Sequence, residues 1–331
     1  MINRTLGKSG IEVSSLGLGC WPIGGPMYSI DGTLVGFDTV NGEELEKALL
    51  TARDLGITLY DTSSIYGCSH SERLLGKVFS HQRDKVVFAT KFGSIFDEET
   101  KTCLSNSVEA DFIRQSCEDS LRRLNTDYID LFQCHELYVS LEQAGGVFET
   151  LDKLKEEGKI RAYGWSTDHP DFIDFFVKNT NGCAIQHQFN VFINADTILE
   201  TCDAYDMACI NRSPLAMGLL SVKYSKTSEV LAGDIRANDI DWNLYFTNGK
   251  VNLKLLDRLA KIREVLTSDG RSLIQGALGW LWAKSGRTIP VPGFRTVKQV
   301  EELAMAMILG PITKYQMEQI DSIIDKISIV E

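Results

Sequence analysis

ITLYD at residues 57–61 and VVFATK at residues 86–91 are two of eight short apolar runs that decide the fold. The other six are SLGLGC (15–20), IDLFQCH (129–135), IRAYGWS (160–166), AIQHQF (184–189), ACINRSP (208–214) and IPVPG (289–293). Segments with helical periodicity separate most of these runs. Strands that alternate with helices predict a parallel sheet, because parallel neighbours need a crossover helix.

The number of runs favours a closed barrel, since eight parallel strands close on themselves. The competing architecture is a doubly wound open sheet, which carries GxGxxG after its first strand. Here the first run reads into GLGCWPIGG (residues 17–25), which does not match that pattern. We therefore predict an α/β protein, a (β/α)8 TIM barrel, formed as a single domain by residues 1–331.

Four segments lie outside the repeating strand and helix pattern. RTLGKSGIEV (residues 4–13) predicts a β-hairpin that closes the barrel floor. Residues 27–41 form an enlarged first loop, and residues 221–250 form a long polar loop of the kind that covers binding sites. After Pro311, a final amphipathic helix is predicted by the spacing of Tyr315, Met317, Ile320, Ile323, Ile324 and Ile327.

Charge and composition exclude several classes of function. The chain has 34 basic and 45 acidic residues and a net charge of −11, which argues against a nucleic-acid-binding or membrane-surface protein. No run approaches the roughly 18 apolar residues of a membrane helix, and MINRTLGKSG lacks the apolar core of a secretory signal. We expect a cytoplasmic protein with reduced cysteines; the sequence carries no signal for its oligomeric state.

Polar residues stand where consecutive apolar runs end. These are Asp61, Lys91 and His135, at the carboxyl ends of predicted strands two, three and four, and Tyr66 follows in the next loop. Each residue alone is ordinary: a turn-forming acid, a surface lysine or a structural histidine. Together they converge on the face where barrel enzymes carry out their chemistry.

The four side chains have the chemistry of a carbonyl reduction site. A tyrosine with a pKa near 10 is a poor acid unless a neighbour stabilises its phenolate. Lys91 is suited to that role, Asp61 to holding the lysine charged, and His135 to orienting the substrate oxygen. Because no side chain donates hydride, a nicotinamide cofactor is implied.

The chain resembles the aldo-keto reductase family almost from end to end. The resemblance rests on LGKSGIEVSSLGLGCW, DTSSIYGCSHSERLLG, TKFG, YIDLFQCH, GKIRAYGWST, SPLAMGLL and IPVPGFRTVKQVEE. It implies reduction of an aldehyde or ketone by NADPH, with NADH the less favoured cofactor. It also implies that Tyr66 donates the proton, that Lys91 and Asp61 tune it, and that His135 places the carbonyl.

The same resemblance implies a set of cofactor-binding residues, together with Asp61 and Trp21. Ser166, Thr167 and Gln186 match the positions around the nicotinamide carboxamide, where Thr167 replaces the usual asparagine. The pyrophosphate segment contains Arg212, Ser213, Pro214, Leu215, Gly218 and Leu220, and the adenosine segment contains Gly293, Phe294, Arg295, Thr296, Gln299 and Glu302.

Three positions in these segments bear on cofactor selectivity and stacking. Arg212 stands where many relatives stack a tyrosine on the nicotinamide. Arg295 is the candidate partner of a 2′-phosphate, with Lys298 as a second candidate, because a guanidinium pairs with phosphate through two hydrogen bonds. Leu303 replaces a frequent asparagine, which removes one potential hydrogen bond to adenine.

The remaining predictions concern the substrate pocket, metal binding and two alternative functions. Trp21, Tyr28, Tyr66 and His135 are expected to line the substrate pocket. No metal is expected, since Cys134 and His135 face opposite sides of a strand and no third ligand has suitable spacing. The alternatives are a cofactor-sensing regulatory or assembly subunit with a reductase-like barrel and, less favoured, a metal-dependent barrel hydrolase.

Overall fold

The structure is a computed structural model that describes residues 3–135 and 139–327. Its strands are β1 (Asn3–Thr5), β2 (Glu12–Ser14), β3 (Gly17–Gly19), β4 (Leu59–Asp61), β5 (Val87–Phe92), β6 (Ser94–Asp97), β7 (Thr102–Asn106), β8 (Ile129–Cys134), β9 (Ile160–Ser166), β10 (Ala184–Gln188), β11 (Ala208–Arg212), β12 (Phe246–Thr247), β13 (Lys250–Val251) and β14 (Thr288–Pro290). Its helices are α1 (Gly42–Asp54), α2 (His70–Phe79), α3 (Ala110–Leu124), α4 (Leu141–Glu156), α5 (Pro170–Asn179), α6 (Asp196–Ala204), α7 (Leu253–Leu266), α8 (Leu273–Lys284), α9 (Val297–Leu309) and α10 (Lys314–Ile323).

Eight parallel strands form the central sheet, in the order β3-β4-β5-β8-β9-β10-β11-β14. The two ends of this sheet meet, because the Gly19 amide donates to Pro292 O at 2.9 Å and Gly19 bridges Gly293 in a parallel sense. Helices connect the strands, as parallel neighbours require. The predicted (β/α)8 barrel is confirmed, and each of the eight apolar runs supplies one of its strands.

Side-chain alternation divides the barrel residues between two apolar cores. The inner core contains the alternate strand residues Leu59, Val87, Ala89, Leu131, Ala162, Ala184, Ala208, Ile210 and Ile289. Leu6, Ile11 and Val13 of the β1-β2 hairpin belong to the same cluster, so the hairpin closes one end of the barrel as predicted. The intervening residues, such as Tyr60 and Phe88, pack outward against the helices.

The structure differs from the sequence prediction at three elements. The β6-β7 hairpin and α7 were not predicted from the sequence. The last helix is shorter than its apolar spacing implies: α10 ends at Ile323, and Ile324 is extended with φ −121° and ψ 138°. Beyond it the Ile327 amide donates to Phe192 O, so a backbone contact replaces the final helical turn.

The two long loops meet over one end of the barrel. The Ile235 amide donates to Gly36 O at 3.0 Å, and the Asp38 amide donates to Gly233 O at 2.7 Å. Asn238 Nδ2 adds a hydrogen bond of 2.7 Å to Leu34 O. Loops 27–41 and 221–250 therefore form a joint cover. None of the described helices is long and apolar enough to cross a membrane.

Candidate active site

Lys91 forms the centre of a buried polar cluster at the carboxyl end of the barrel. Its side chain is fully buried, and its ammonium donates to Asp61 Oδ2 at 2.9 Å and to Thr62 O at 2.7 Å. The same nitrogen lies 3.3 Å from the hydroxyl of Tyr66. The lysine reaches all three because the inward face of β5 continues from Val87 through Ala89 to its own position.

The carboxylate of Asp61 has two further partners, one of which sequence reasoning missed. Gln186 Nε2 donates to Asp61 Oδ1 at 2.8 Å, and Gln133 Nε2 lies 3.3 Å from the same oxygen. Gln133 occupies the inward face of β8, two residues after Leu131, so strand alternation was the signal that identifies it. Asp61 is thus held by an ammonium and two amides.

The cluster keeps both a charged lysine and a protonated tyrosine. Burial lowers the pKa of Lys91, but the Asp61 carboxylate and the Tyr66 hydroxyl outweigh it, and the pKa lies above its ordinary value. Burial raises the pKa of Tyr66, while the charge of Lys91 offsets part of that increase. At neutral pH the phenol therefore retains its proton, beside a cation that stabilises the phenolate left after proton transfer.

His135 is neutral in this environment. Burial lowers its pKa to about 3, and the positive charges of Lys91 and Arg212 act in the same direction. Its Nδ1 lies 3.3 Å from Ser63 Oγ, and its ring meets that of Tyr66 edge-on with centroids 6.1 Å apart. A neutral imidazole next to the phenol is suited to hydrogen-bonding a carbonyl oxygen.

Close backbone packing positions the loop that carries Tyr66. Gly67 has φ +61°, and a Cβ at this position would lie 1.7 Å from Gly24 O. A Cβ at Gly24 would in turn lie 2.7 Å from the Tyr66 carbonyl carbon. These contacts require glycine on both sides, so the two backbones fix the position of the tyrosine.

Gly67→Ala is expected to lower both stability and activity. The left-handed backbone costs an L-residue about 1–2 kcal/mol, and overpacking against Gly24 adds about 1–3 kcal/mol. The displaced loop moves the Tyr66 hydroxyl and lowers kcat. Urea unfolding and steady-state kinetics measure the two effects.

Gly158→Ala is the matched control, because Gly158 has φ +75° and open space around its Cβ position. This variant has the same cost of a left-handed backbone but no overlap between the new Cβ and neighbouring atoms. It is expected to leave kcat unchanged. Equal losses of stability in the two variants would contradict the importance of the Gly24–Gly67 contact.

The cluster opens into a cavity of about 1020 Å³. This volume is at the upper end of the range for small-molecule and cofactor sites. The residues that sequence analysis predicted and that line the cavity are Trp21, Asp61, Tyr66, His135, Ser166, Gln186, Arg212, Ser213, Pro214, Leu215, Gly218, Gly293, Phe294, Arg295, Gln299 and Glu302. Leu303 lines the cavity as well.

Besides Lys91 and Lys298, four predicted site residues do not line the cavity. Tyr28 is 37% exposed, and its backbone pairs with the β6-β7 hairpin through Lys101 O and the Cys103 amide. Thr167 is buried, and its hydroxyl accepts from the His169 amide in a local turn.

Leu220 and Thr296 complete this group, and each has a structural role. Leu220 is fully buried in the outer core. Thr296 caps α9, since its side chain accepts from the Gln299 amide. Lys298, the second candidate for a phosphate partner, is exposed and likewise outside the lining.

Two cations in the cavity wall were not predicted. These are Lys223 and Arg236, and both belong to loop 221–250. Burial lowers the pKa of Lys223, and the positive charges of Arg236 and Arg295 lower it further. Arg236 is held by Asp234 and donates to Met217 O at 2.7 Å. The position of Lys223, directly after the predicted pyrophosphate segment, was the available signal.

Arg212 and Asp168 form an ion pair at the cavity wall. Gln188 contacts both members of this pair. Its side-chain oxygen lies 3.4 Å from Arg212 Nη1, and its backbone amide donates to Asp168 Oδ1 at 2.7 Å. The guanidinium at this position is therefore fixed and charge-balanced. Within residues 3–135 and 139–327, no group of three His, Cys, Asp or Glu side chains is arranged to hold a metal ion.

Comparison with known proteins relates the chain to described enzymes. The model of the Aldo/keto reductase family matches residues 15–325. The aldo-keto reductase YhdN of Bacillus subtilis is 31% identical over 91% of this chain and 87% of its own length. The aldo-keto reductase yakc [NADP(+)] of Schizosaccharomyces pombe is 30% identical over 79% of this chain and 77% of its own.

Solved structures that resemble this chain belong to the same kind of enzyme as its sequence relatives. The aldo-keto reductase AKR11C1 from Bacillus halodurans, in its holo form, is similar with a TM-score of 0.81 and 26% identity, over 99% of this chain and 98% of that one. The glycerol dehydrogenase AKR11B4 from Gluconobacter oxydans has a TM-score of 0.80 and 26% identity, over 97% and 94% of the two chains. The chain belongs to the aldo/keto reductase family, whose activity is the NAD(P)H-dependent reduction of carbonyl groups.

Proposed function

We propose that this protein reduces an aldehyde or ketone to the alcohol with NADPH, and that Asp61, Lys91, Tyr66 and His135 are its catalytic residues. The observation that carries the proposal is the hydrogen-bonded chain from Asp61 through Lys91 to the Tyr66 hydroxyl, which ends in a large cavity. The relatives with known activities are named as reductases or dehydrogenases, so nothing favours a regulatory subunit.

Proton transfer follows from the charges around Tyr66. A nicotinamide held by Ser166 and Gln186 would supply the hydride for the carbonyl carbon, so that negative charge would develop on the carbonyl oxygen. Tyr66 donates its phenolic proton to that oxygen, and the Lys91 ammonium at 3.3 Å stabilises the resulting phenolate. Asp61 keeps the ammonium in position, while neutral His135 orients the carbonyl oxygen by a hydrogen bond.

The donor set of the cavity fits a phosphorylated dinucleotide. Lys223, Arg236 and Arg295 give one part of the wall a positive charge, although the protein as a whole carries −11. Cationic side chains in a partly enclosed site bind phosphate groups strongly. Gln186, which donates to Asp61, and Ser166, its partner on the neighbouring strand, both line the cavity and have the donors and acceptors that a carboxamide needs. We assign these residues, with the 212–218 segment and Gly293–Glu302, to the cofactor.

The direct test is NADPH oxidation with a panel of carbonyl substrates. The panel contains sugar aldehydes, aromatic aldehydes and diketones, and each is repeated with NADH. Turnover that depends on both NADPH and a carbonyl supports the proposal. Absence of turnover with every substrate, by a protein that binds NADPH and is folded, would contradict it.

Arg295→Ser is expected to weaken NADPH binding by about 10–100-fold and to leave NADH binding nearly unchanged. A charge-assisted hydrogen bond contributes about 1.5–3 kcal/mol, and only NADPH carries the 2′-phosphate that Arg295 would hold. The guanidinium is already presented at the cavity wall, where its Nη2 donates to Asp38 O at 2.7 Å. Fluorescence titration of both cofactors measures the effect.

Lys298→Ala is the control for this prediction, because Lys298 is exposed and outside the cavity lining. It is expected to bind NADPH like the unmodified protein. If Arg295→Ser weakens the binding of NADPH and NADH equally, Arg295 supports the loop at Asp38 and does not bind the 2′-phosphate.

Two further proposals concern the domain organisation of the chain and its location in the cell. We propose a single barrel domain that acts on a small carbonyl compound. We also propose a reducing, cytoplasmic compartment. Its support is a set of seven free thiols in the described ranges, six of them at most 2% exposed: Cys20, Cys68, Cys103, Cys117, Cys183, Cys202 and Cys209.

A further inference from the structure

An aromatic wall adjoins the hydroxyl of Tyr66 in the cavity. The Trp21 ring lies 6.1 Å from the Tyr66 ring in a stacked arrangement, and Phe37 meets Trp21 edge-on at 5.3 Å. Trp242 extends this surface outward, with its centroid 6.0 Å from that of Trp21 and an interplanar angle of 43°. We call Trp21, Phe37 and Trp242 the aromatic wall. All three residues line the cavity, and only Trp21 follows directly from a barrel strand.

Trp242 differs from the other two because it remains largely exposed. Its exposure is 53%, whereas Phe37 is 6% exposed. A tryptophan exposes a large apolar surface to water, which is unfavourable unless something covers it. The exposed ring faces a cavity, so a bound molecule is the natural cover.

The backbone next to Trp242 is anchored to the barrel. The hydroxyl of Tyr245, which is 1% exposed, accepts from Gln188 Nε2 and Asn190 Nδ2, both at 2.6 Å. Asn243 Oδ1 accepts from the amides of Tyr245 and Phe246 at 3.2 Å. The backbone that follows Trp242 is therefore held in place, which lowers the entropy that ordering this part of the loop would cost on binding.

The arginines beside the aromatic wall are already paired with carboxylates. Arg236, whose guanidinium lies 5.8 Å from the centre of the Phe37 ring, pairs with Asp234. Asp241 lines the cavity directly before Trp242, and Asp168 already pairs with the nearby Arg212. His135 carries no charge at neutral pH. A carboxylate on the substrate would meet the charge of Asp241 here, whereas an uncharged planar group would stack on the tryptophan.

We propose that Trp242 is a specificity-determining residue, which selects uncharged carbonyl compounds carrying an aromatic group by stacking on that group beside Trp21. This inference rests on the proposed reductase function. It assigns to loop 221–250 a direct contact with the substrate, separate from its cationic residues Lys223 and Arg236.

The test compares Trp242→Ala with Trp242→Phe and Leu231→Ala. Leu231 is the matched control, because it is a 79% exposed apolar residue of the same loop and is outside the cavity lining. Initial rates are measured with 4-nitrobenzaldehyde, propanal and succinic semialdehyde, which are aromatic, small aliphatic and anionic. The Kd of NADPH is measured for every variant.

Trp242→Ala is expected to raise the KM for 4-nitrobenzaldehyde about tenfold, to change its kcat little, and to leave the KM for propanal nearly unchanged. Trp242→Phe should restore most of the affinity, and Leu231→Ala should match the unmodified protein. The Kd of NADPH should stay constant, which separates a substrate contact from damage to the loop. The unmodified protein should prefer 4-nitrobenzaldehyde to succinic semialdehyde in kcat/KM.

Two results would overturn this inference while leaving the reductase function intact. One is an equal loss of kcat/KM for 4-nitrobenzaldehyde and propanal in Trp242→Ala. The other is a preference of the unmodified protein for succinic semialdehyde. If the unmodified protein oxidises NADPH with none of the three, the proposed function itself fails for these substrates.

Discussion

Tyr66→Phe is expected to reduce kcat by about 10²–10⁴-fold while NADPH binding persists. General acid catalysis by a positioned side chain contributes about this factor. The substitution removes only the hydroxyl that lies 3.3 Å from Lys91 Nζ, and the ring keeps its stacking on Trp21. Stopped-flow measurement of NADPH oxidation gives the rate, and fluorescence titration gives the cofactor Kd.

Tyr60→Phe is the control for this experiment. Tyr60 lies on β4, the strand that precedes the loop carrying Tyr66, and packs into the outer core, where its hydroxyl donates to Leu49 O at 3.1 Å. It is expected to cost about 1 kcal/mol of stability and to leave kcat unchanged. Full turnover by Tyr66→Phe would falsify the assignment of Tyr66 as proton donor.

Lys91→Met is expected to have the largest effect on stability, a loss of about 3–5 kcal/mol. The lysine is completely buried and pairs with a buried carboxylate, and removing one member of such a pair leaves the other without a counter-charge. Turnover should fall as well, because the phenolate of Tyr66 loses the cation that stabilises it. Urea unfolding at pH 7 and steady-state kinetics measure the two losses.

The double variant Asp61→Asn/Lys91→Met separates these two effects. Neutralising Asp61 removes the isolated charge, so the double variant should be more stable than Lys91→Met alone. Its turnover should stay low, since the cation next to Tyr66 is still absent. If Lys91→Met is as stable as the unmodified protein, the Asp61–Lys91 pair does not contribute in the way its burial implies.

Much of the buried polar cluster around Lys91 was predictable because it depends on local regularities. Asp61 and Lys91 end apolar runs whose alternation places them on the inward face with Leu59 and Ala89. Parallel strands bring their carboxyl ends to one side of a barrel, whatever joins them. The pairing of Asp61 with Lys91 therefore follows from strand period and direction, whereas Tyr66 is positioned by the backbone contact between Gly24 and Gly67. Gln133 obeys the same rule, because it lies two residues after Leu131 on the inward face of β8 and reaches Asp61.

Sequence and structure differ most where a side chain or segment has a second possible partner. Tyr28 follows the first strand closely, yet backbone hydrogen bonds with the β6-β7 hairpin direct it away from the cavity. Thr296 lies in the adenosine segment, but its hydroxyl caps α9. At the chain end, the apolar spacing from Tyr315 to Ile327 fits a helix, while a backbone contact with Phe192 gives the last residues an extended path.

By itself the sequence determined the barrel, its eight strands, the closing hairpin and the end of the barrel at which Asp61 and Lys91 meet. These features depend on periodicity and on the direction of parallel strands, which neighbouring residues set. Only the tertiary structure decided how the cavity is covered and what its outer wall contains. Asn238 Nδ2 reaches Leu34 O across 204 positions, and contacts of this kind bring Phe37, Lys223, Arg236 and Trp242 together. Loops without a period take their shape from such distant partners, which no local pattern specifies.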